Sequence, residues 1–133
     1  MDIPLTFQKI ASTIPLESIP RFIVCQGFIG SKANSNTTTL GYEGSDYSAS
    51  IYAACFDGYL KYFKKYPYHD SDPDQNPNSK HLESVPIDVL AQDVNRLDKK
   101  PILHRRTLGV MKEFGLRGEI ISCSTLKRTR IVF

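Results

Sequence analysis

The chain has 133 residues, a length that fits one domain. Its 41% hydrophobic and 23% charged residues are an ordinary globular mix and exclude collagen-like, mucin-like and wholly disordered classes. The net charge of +3 is too mild to argue for nucleic acid; no apolar run approaches the ~18 residues of a membrane helix, and the MDIPLTFQKI start has no signal-peptide pattern, so a soluble cytoplasmic protein without membrane or nucleic-acid partners is expected.

In chain order, Pro4, Pro15 and Pro20 break the first twenty residues into one short helix and a connection. Arg21–Gln26 reads as a buried strand, a short run of β-branched and aromatic residues that ends at Gly27. From Gly27 to Gly44 the chain is rich in Gly, Ser, Asn and Thr and is expected to be a long, functional loop. Ser45 or Asp46 opens a helix in which Tyr47, Ile51, Ala54 and Cys55 recur at helical spacing, with Gly58 as its stop. Leu60–Phe63 reads as a strand, and residues 66–80 as a polar, proline-punctuated loop. Ser84 is expected to cap a second helix, with Pro86 in its first turn and an apolar stripe of Ile87, Leu90, Val94 and Leu97. A third helix spans His104–Phe114, stops at Gly115 and turns Leu108, Met111 and Phe114 inward. Glu119–Ser122 and Arg130–Phe133 complete the chain as strands. The alternation predicts an α/β layer with some parallel pairing.

Cys25, Cys55 and Cys123 are odd in number and far apart; each sits among apolar neighbours, which points to buried free thiols. His69, His81 and His104 have no metal-ligand spacing, so no metal is expected. The basic residues lean toward the C-terminus, from Arg105 to Arg130, as a solvated face.

The chemistry concentrates in three runs, Gly27-Phe28-Ile29-Gly30, Thr37-Thr38-Thr39-Leu40-Gly41 and Gly44-Ser45-Asp46-Tyr47-Ser48. A strand feeds a glycine-bearing loop, a cluster of hydroxyls and a helix N-terminus. Backbone N–H groups, threonine hydroxyls and the positive end of the helix suit an anion, and Asp46 suits an ammonium group. A zwitterionic amino acid or a phosphorylated ligand satisfies both; a plain N-cap and turn-rich loop explains the same residues.

The run QGFIGSKANSNTTTLGYEGSDYSASIYAACFD resembles the signature region of the aspartate kinases, a GFIG loop followed by TTTLGRGGSDYSA and an alanine-rich helix. It is most similar to the lysine-sensitive type. Further resemblance lies in Asp72-Pro73 and the run Lys80–Val85 (the family's D-P-R and K-x-L-x-x-I), in Ile102–Leu108 (V-L-H-P-x-T-L) and in the last strands. The resemblance implies an amino-acid-kinase-like fold, a mostly parallel sheet between helix layers. It covers roughly the second half of the family's catalytic domain, so residues 1–133 are expected to form a single, truncated, partial domain. The family phosphorylates the aspartate side-chain carboxylate with ATP and magnesium. By resemblance, Thr38, Thr39, Ser45 and Asp46, with Thr37 beside them, are substrate-binding positions, and Gly27, Gly30, Gly41 and Gly44 form the backbone loop. His104 is expected to be a packed structural histidine.

Departures from the family pattern fall at charged positions. The 133 residues contain no lysine-bearing K-F-G-G-T-S segment and no regulatory ACT domains. Tyr42 stands where the family has a carboxylate-gripping arginine, and Glu43 replaces the next glycine. The family's Thr-Asp pair falls on Phe63 and Lys64, the D-P-R arginine on Asp74, the V-L-H-P lysine on Pro101 and its proline on Arg105. Phosphoryl transfer depends on positioning and charge neutralisation, so no catalytic residue is assigned and no cofactor is expected. Lys64, Lys65 and Lys100 are the cations left to offset the loss. The expectation is an inactive domain acting through binding, as a homo-oligomer or with a full-length or N-terminal kinase chain. The alternatives are one half of a split kinase, which alone would bring in ATP and Mg, and a sensor using the Thr37–Asp46 pocket for an amino-acid ligand.

Overall fold

The computed structural model describes residues 2–14, 16–18, 22–94 and 101–133; Arg21, Leu97 and Lys100 lie outside them. Helix α1 is Ile3–Thr13, capped by the Asp2 carboxylate, which accepts from the Leu5 N–H at 3.0 Å. Pro4 sits in its first turn, where a missing N–H costs nothing. Ile3, Phe7 and Ile10 face the core, and the Phe7 ring meets Phe114 with centroids 5.3 Å apart.

The expected strand at 21–26 is not formed over its described residues, 22–26. Residues 22–27 have no regular structure, Phe22 is 83% exposed and Val24 99% exposed. A buried parallel strand needs neighbours on both sides, and among the described residues no strand pairs with this segment. The loop expected from 27 to 44 instead contains a hairpin, β1 (Ile29–Ser31) and β2 (Thr37–Thr39), antiparallel with Gly30 opposite Thr38. The turn closes through Lys32 N–H to Asn36 C=O and Asn36 N–H to the Asn34 side chain.

Helix α2 spans Gly44–Phe56. Its N-cap is Glu43, left-handed at φ 55°, so Ser45 and Asp46 lie inside the first turn and not at the cap. Asp46 there still suits the helix dipole. Asp57, also left-handed, ends the helix, with the Gly58 N–H returning to Ala53 C=O.

The main sheet has the order β3-β5-β6-β4, with β3 at Leu60–Lys64, β4 at Ser84–Pro86, β5 at Gly118–Ser122 and β6 at Arg128–Val132. β3 with β5 and β4 with β6 are parallel, while β5 with β6 is antiparallel. The sheet is thus mostly parallel and packs with helices, the expected α/β class. Gly118 is required where β5 passes β3, because a Cβ there would stand 2.9 Å from the Leu60 Cβ.

Residues 84–86 correct the expected second helix. Ser84–Pro86 is an edge strand, and α3 is Ile87–Asp93 with Pro86 as N-cap. Proline suits an edge, where no ladder donor is required of it. Helix α4, Arg105–Phe114, follows expectation, with His104 as cap and Gly115 left-handed at its end. Leu108 and Met111 are buried as expected, whereas Phe114 remains 38% exposed beside Phe7.

Tyr47, Ile51, Leu60, Tyr62, Val85, Leu90, Met111 and Ile120 belong to one core between the sheet and the helices. On the opposite face of β3, Lys61 and Phe63 are exposed. The cysteines also differ from expectation: Cys25 and Cys123 are exposed and Cys55 is partly buried. No helix among the described residues is long and apolar enough to cross a membrane.

Candidate functional site

The residues just before α2, the end of β3, the loop after it and the residues preceding α4 converge on one cleft. Its volume is about 350 Å³, and Tyr42, Lys64, Tyr66, Asp74 and Pro101 are among its walls. Five of the seven positions that depart from the kinase pattern (Tyr42, Glu43, Lys64, Asp74 and Pro101) therefore share one wall set. Phe63 and Arg105 do not line it. Strand alternation turns Phe63 to the other sheet face, where it is 61% exposed.

The backbone-loop glycines are not among the residues that line the cleft. Gly27 is half-buried against α2, where a Cβ would meet Ser45 Cβ at 3.1 Å. Gly44 is closer still, since a Cβ there would stand 2.8 Å from Leu40 Cβ. Gly41 is left-handed at φ 86° in the bend between β2 and α2. Gly30 and Thr38 face each other in the hairpin. Thr37 and Thr39 are exposed, Thr38 is half-buried, and Ser45 is exposed.

Asp46 is buried, and its carboxylate accepts from Lys64 Nζ at 2.8 Å. The same ammonium donates to Glu43 at 2.6 Å. Lys64 thus bridges two acids at the start of α2. Burial raises the Asp46 pKa and outweighs the lowering by Lys64. Burial opposes the Lys64 charge too, but the two carboxylates prevail and hold its pKa above the ordinary value. The Tyr62 hydroxyl, on the same side of β3 as Lys64, is buried and has no hydrogen-bond partner among the described residues. Its pKa is raised by burial first and then by the Asp46 charge.

Deeper along the loop, Lys65 Nζ meets Asp74 at 2.8 Å, and the Tyr66 hydroxyl donates to the same oxygen at 3.0 Å. His104 caps α4, its Nδ1 accepting from the Arg106 N–H, and its ring stacks on Tyr47 at 5.4 Å. Burial, followed by the Arg106 charge, lowers its pKa. The histidine is a packing and capping group, as expected of its motif. Among the described residues no group of three His, Cys, Asp or Glu side chains is placed to hold a metal ion.

Two features were not legible beforehand. Glu43 reads in sequence only as a replacement of a family glycine, yet it is half of the Lys64 bridge. The signal available was complementarity: an acid gained at 43 and a lysine gained at 64, with Asp74 gained opposite Lys65. The unpartnered Tyr62 hydroxyl has no sequence signal.

No family model matches the chain. A bifunctional aspartokinase/homoserine dehydrogenase of Buchnera aphidicola subsp. Acyrthosiphon pisum is 32% identical over 94 residues, which is 69% of this chain and 11% of that protein. Aspartokinase III of E. coli in complex with lysine and aspartate superposes with a TM-score of 0.72 at 25% identity, over 98% of this chain and 30% of that one. The chain fits the aspartate kinase family as a partial domain. The same E. coli enzyme in complex with aspartate and ADP superposes with a TM-score of 0.80 at 22% identity, over 99% of this chain and 30% of that one. The chain therefore spans about a third or less of the lengths of these aspartate kinases.

Proposed function

We propose that the chain is an aspartate-kinase-like domain that does not phosphorylate aspartate by itself and acts in the cytoplasm through binding, to itself or to a kinase chain. One observation carries this reading: both lysines that line the cleft are paired with acids of this chain, Lys64 with Glu43 and Asp46 and Lys65 with Asp74. A phosphoryl-transfer site needs uncompensated cations and oriented donors aimed at the moving charge. Here the substrate-grip position is the phenol of Tyr42, 67% exposed, and the charges beside it are neutralised. A phenol does not replace the bidentate fork of a guanidinium.

Association is favoured by apolar surface. Phe22, Val24, Phe63 and Phe133 are each more than half exposed, and association would remove such apolar surface from water. The test has two parts. With ATP, magnesium and aspartate, trapping acyl phosphate with hydroxylamine yields no aspartyl hydroxamate; light scattering gives a mass above the 15.0 kDa of one chain. Hydroxamate formed by the chain alone overturns the reading, and a strictly monomeric chain removes self-association, leaving the kinase partner. Hydroxamate formed only after mixing with an N-terminal kinase segment identifies a split enzyme.

The cleft favours a second reading, a sensor for a small ligand such as an amino acid, though at a place that Thr37–Thr39, Ser45 and Asp46 do not line: its volume of about 350 Å³ lies within the range of small-molecule sites. A thermal-shift screen with amino acids tests it; the absence of any shift at millimolar ligand removes it.

A further inference from the structure

We infer that the chain pairs with a second copy of itself through the outer edge of β3. The two β3 strands lie antiparallel about a two-fold axis at Tyr62, and the two main sheets become one. The inference rests on the self-association proposed above and names its interface.

The edge offers its backbone groups in a defined pattern. The Leu60 N–H donates to the Arg117 carbonyl at 3.0 Å and the Cys123 N–H to the Lys64 carbonyl at 2.8 Å, both on the β5 side. In this parallel register Leu60, Tyr62 and Lys64 turn their backbone groups to β5, so Lys61 and Phe63 turn theirs away from it. Among the described residues no strand or backbone group meets Lys61 or Phe63 on that side. The two residues stand symmetrically about Tyr62. An antiparallel copy with Tyr62 facing Tyr62 therefore sets Lys61 against Phe63 of the second copy, and the reverse, as pairs that exchange both backbone bonds. A slip of one residue sets outward groups against inward ones. A slip of two sets Lys61 opposite Lys61 or Lys65, like charge to like. Side chains select the same register. Lys61 and Phe63 are exposed on one sheet face, and opposed residues share a face, so each Lys61 ammonium meets a Phe63 ring that is 61% exposed in the single chain. On the other face the Lys64 charge is already held by Glu43 and Asp46 and adds no repulsion. The far edge of the sheet, β4, is three residues long and too short to receive β3 head to tail. An edge that meets its own copy closes at two chains. Five residues make a small interface, so the dimer is reversible.

Sedimentation velocity over about 1 µM to 1 mM reads the dimer Kd, with the mass rising from 15.0 kDa toward that of two chains. Phe63→Lys sets like charges opposite each other twice and raises the Kd about ten-fold or more, whereas Phe63→Glu sets opposite charges there and leaves it unchanged or lower. Phe63 is exposed, so both variants keep the fold. Lys61→Pro deletes an N–H that points away from β5; it keeps the far-UV circular dichroism of the single chain and raises the Kd about ten-fold. If Lys61→Pro does not fold, the Phe63 pair decides alone. Equal weakening by Phe63→Lys and Phe63→Glu overturns the inference, because mere loss of apolar surface then explains both. A Kd unchanged in Phe63→Lys overturns it too, while the proposed self-association stands through another surface. Loss of the dimer in Val24→Asp without loss in Phe63→Lys makes residues 22–26 the occupant of the edge and overturns it as well. A mass of 15.0 kDa throughout overturns this interface, and the hydroxylamine assay still tests the proposed function by itself.

Discussion

Lys64→Met keeps the aliphatic stem on β3 and deletes the charge that two acids share. In the wild type the three side chains are 16% (Lys64), 9% (Asp46) and 27% (Glu43) exposed, so most of the pair is desolvated. Removing one member of a buried pair typically costs 3–5 kcal/mol, because the partner charge stays behind unpaired. Glu43 can turn toward water, which places the expected loss at the lower end, about 3 kcal/mol at pH 7. For a chain of this length that is a fall in melting temperature of about 10 °C. The loss depends on pH with a fixed sign. Burial raises the Asp46 pKa in the fold, and the variant lacks the Lys64 contact that lowers it. A folded-state pKa above the unfolded value means the fold binds the proton more tightly, so stability falls as pH rises through that range. The deficit of the variant relative to wild type therefore shrinks toward pH 4, to about half. Urea denaturation of both proteins at pH 7 and pH 4 measures it. A deficit below 1 kcal/mol at pH 7, or one that is the same at both pH values, refutes the reasoning from burial.

Other consequences follow from the same contacts. Tyr62→Phe removes a buried hydroxyl without a partner among the described residues and stabilises the fold by about 1 kcal/mol; a loss of that size in thermal unfolding contradicts it. Met111→Ala empties a fully buried site beneath the sheet and costs about 3 kcal/mol in urea denaturation. Gly118→Ala forces a Cβ to within 3.0 Å of the Leu60 carbonyl oxygen and costs about 2 kcal/mol or more, where an open glycine site costs little. His69 and His104 have pKa values lowered chiefly by burial. Their contribution is complete above the ordinary pKa of 6.5 and is lost as pH falls through the depressed values; a melting temperature that does not fall on acidification from pH 7 to pH 5 contradicts it.

Sequence showed most clearly what is set locally. Helix α4 was legible to within a residue because its cap, His104, its stop, Gly115, and its spacing of Leu108 and Met111 lie inside one short window. Strand β3 was legible for the same reason. Residues 22–26 were misread because Phe-Ile-Val-Cys states a preference for strand and says nothing of whether a neighbour exists to pair with it. Ser84–Pro86 carries helix-start chemistry, yet the burial of Val85 beside β6 decided for the sheet, a contact more than forty residues away in sequence. At the site, Asp46 was legible as a charge that wants an ammonium partner. That the partner is Lys64 depends on how β3 is laid against α2, which spacing along the chain does not encode.

The two margins of the main sheet differ in kind. The β4 margin is three residues long and finishes in Pro86, which has no N–H to offer a further strand. Leu60–Lys64, at the other margin, has a full run of backbone groups and, among the described residues, β5 as its ladder partner. Any extension of this sheet by another chain would therefore be directional, favoured at the Leu60–Lys64 border and blocked at Pro86.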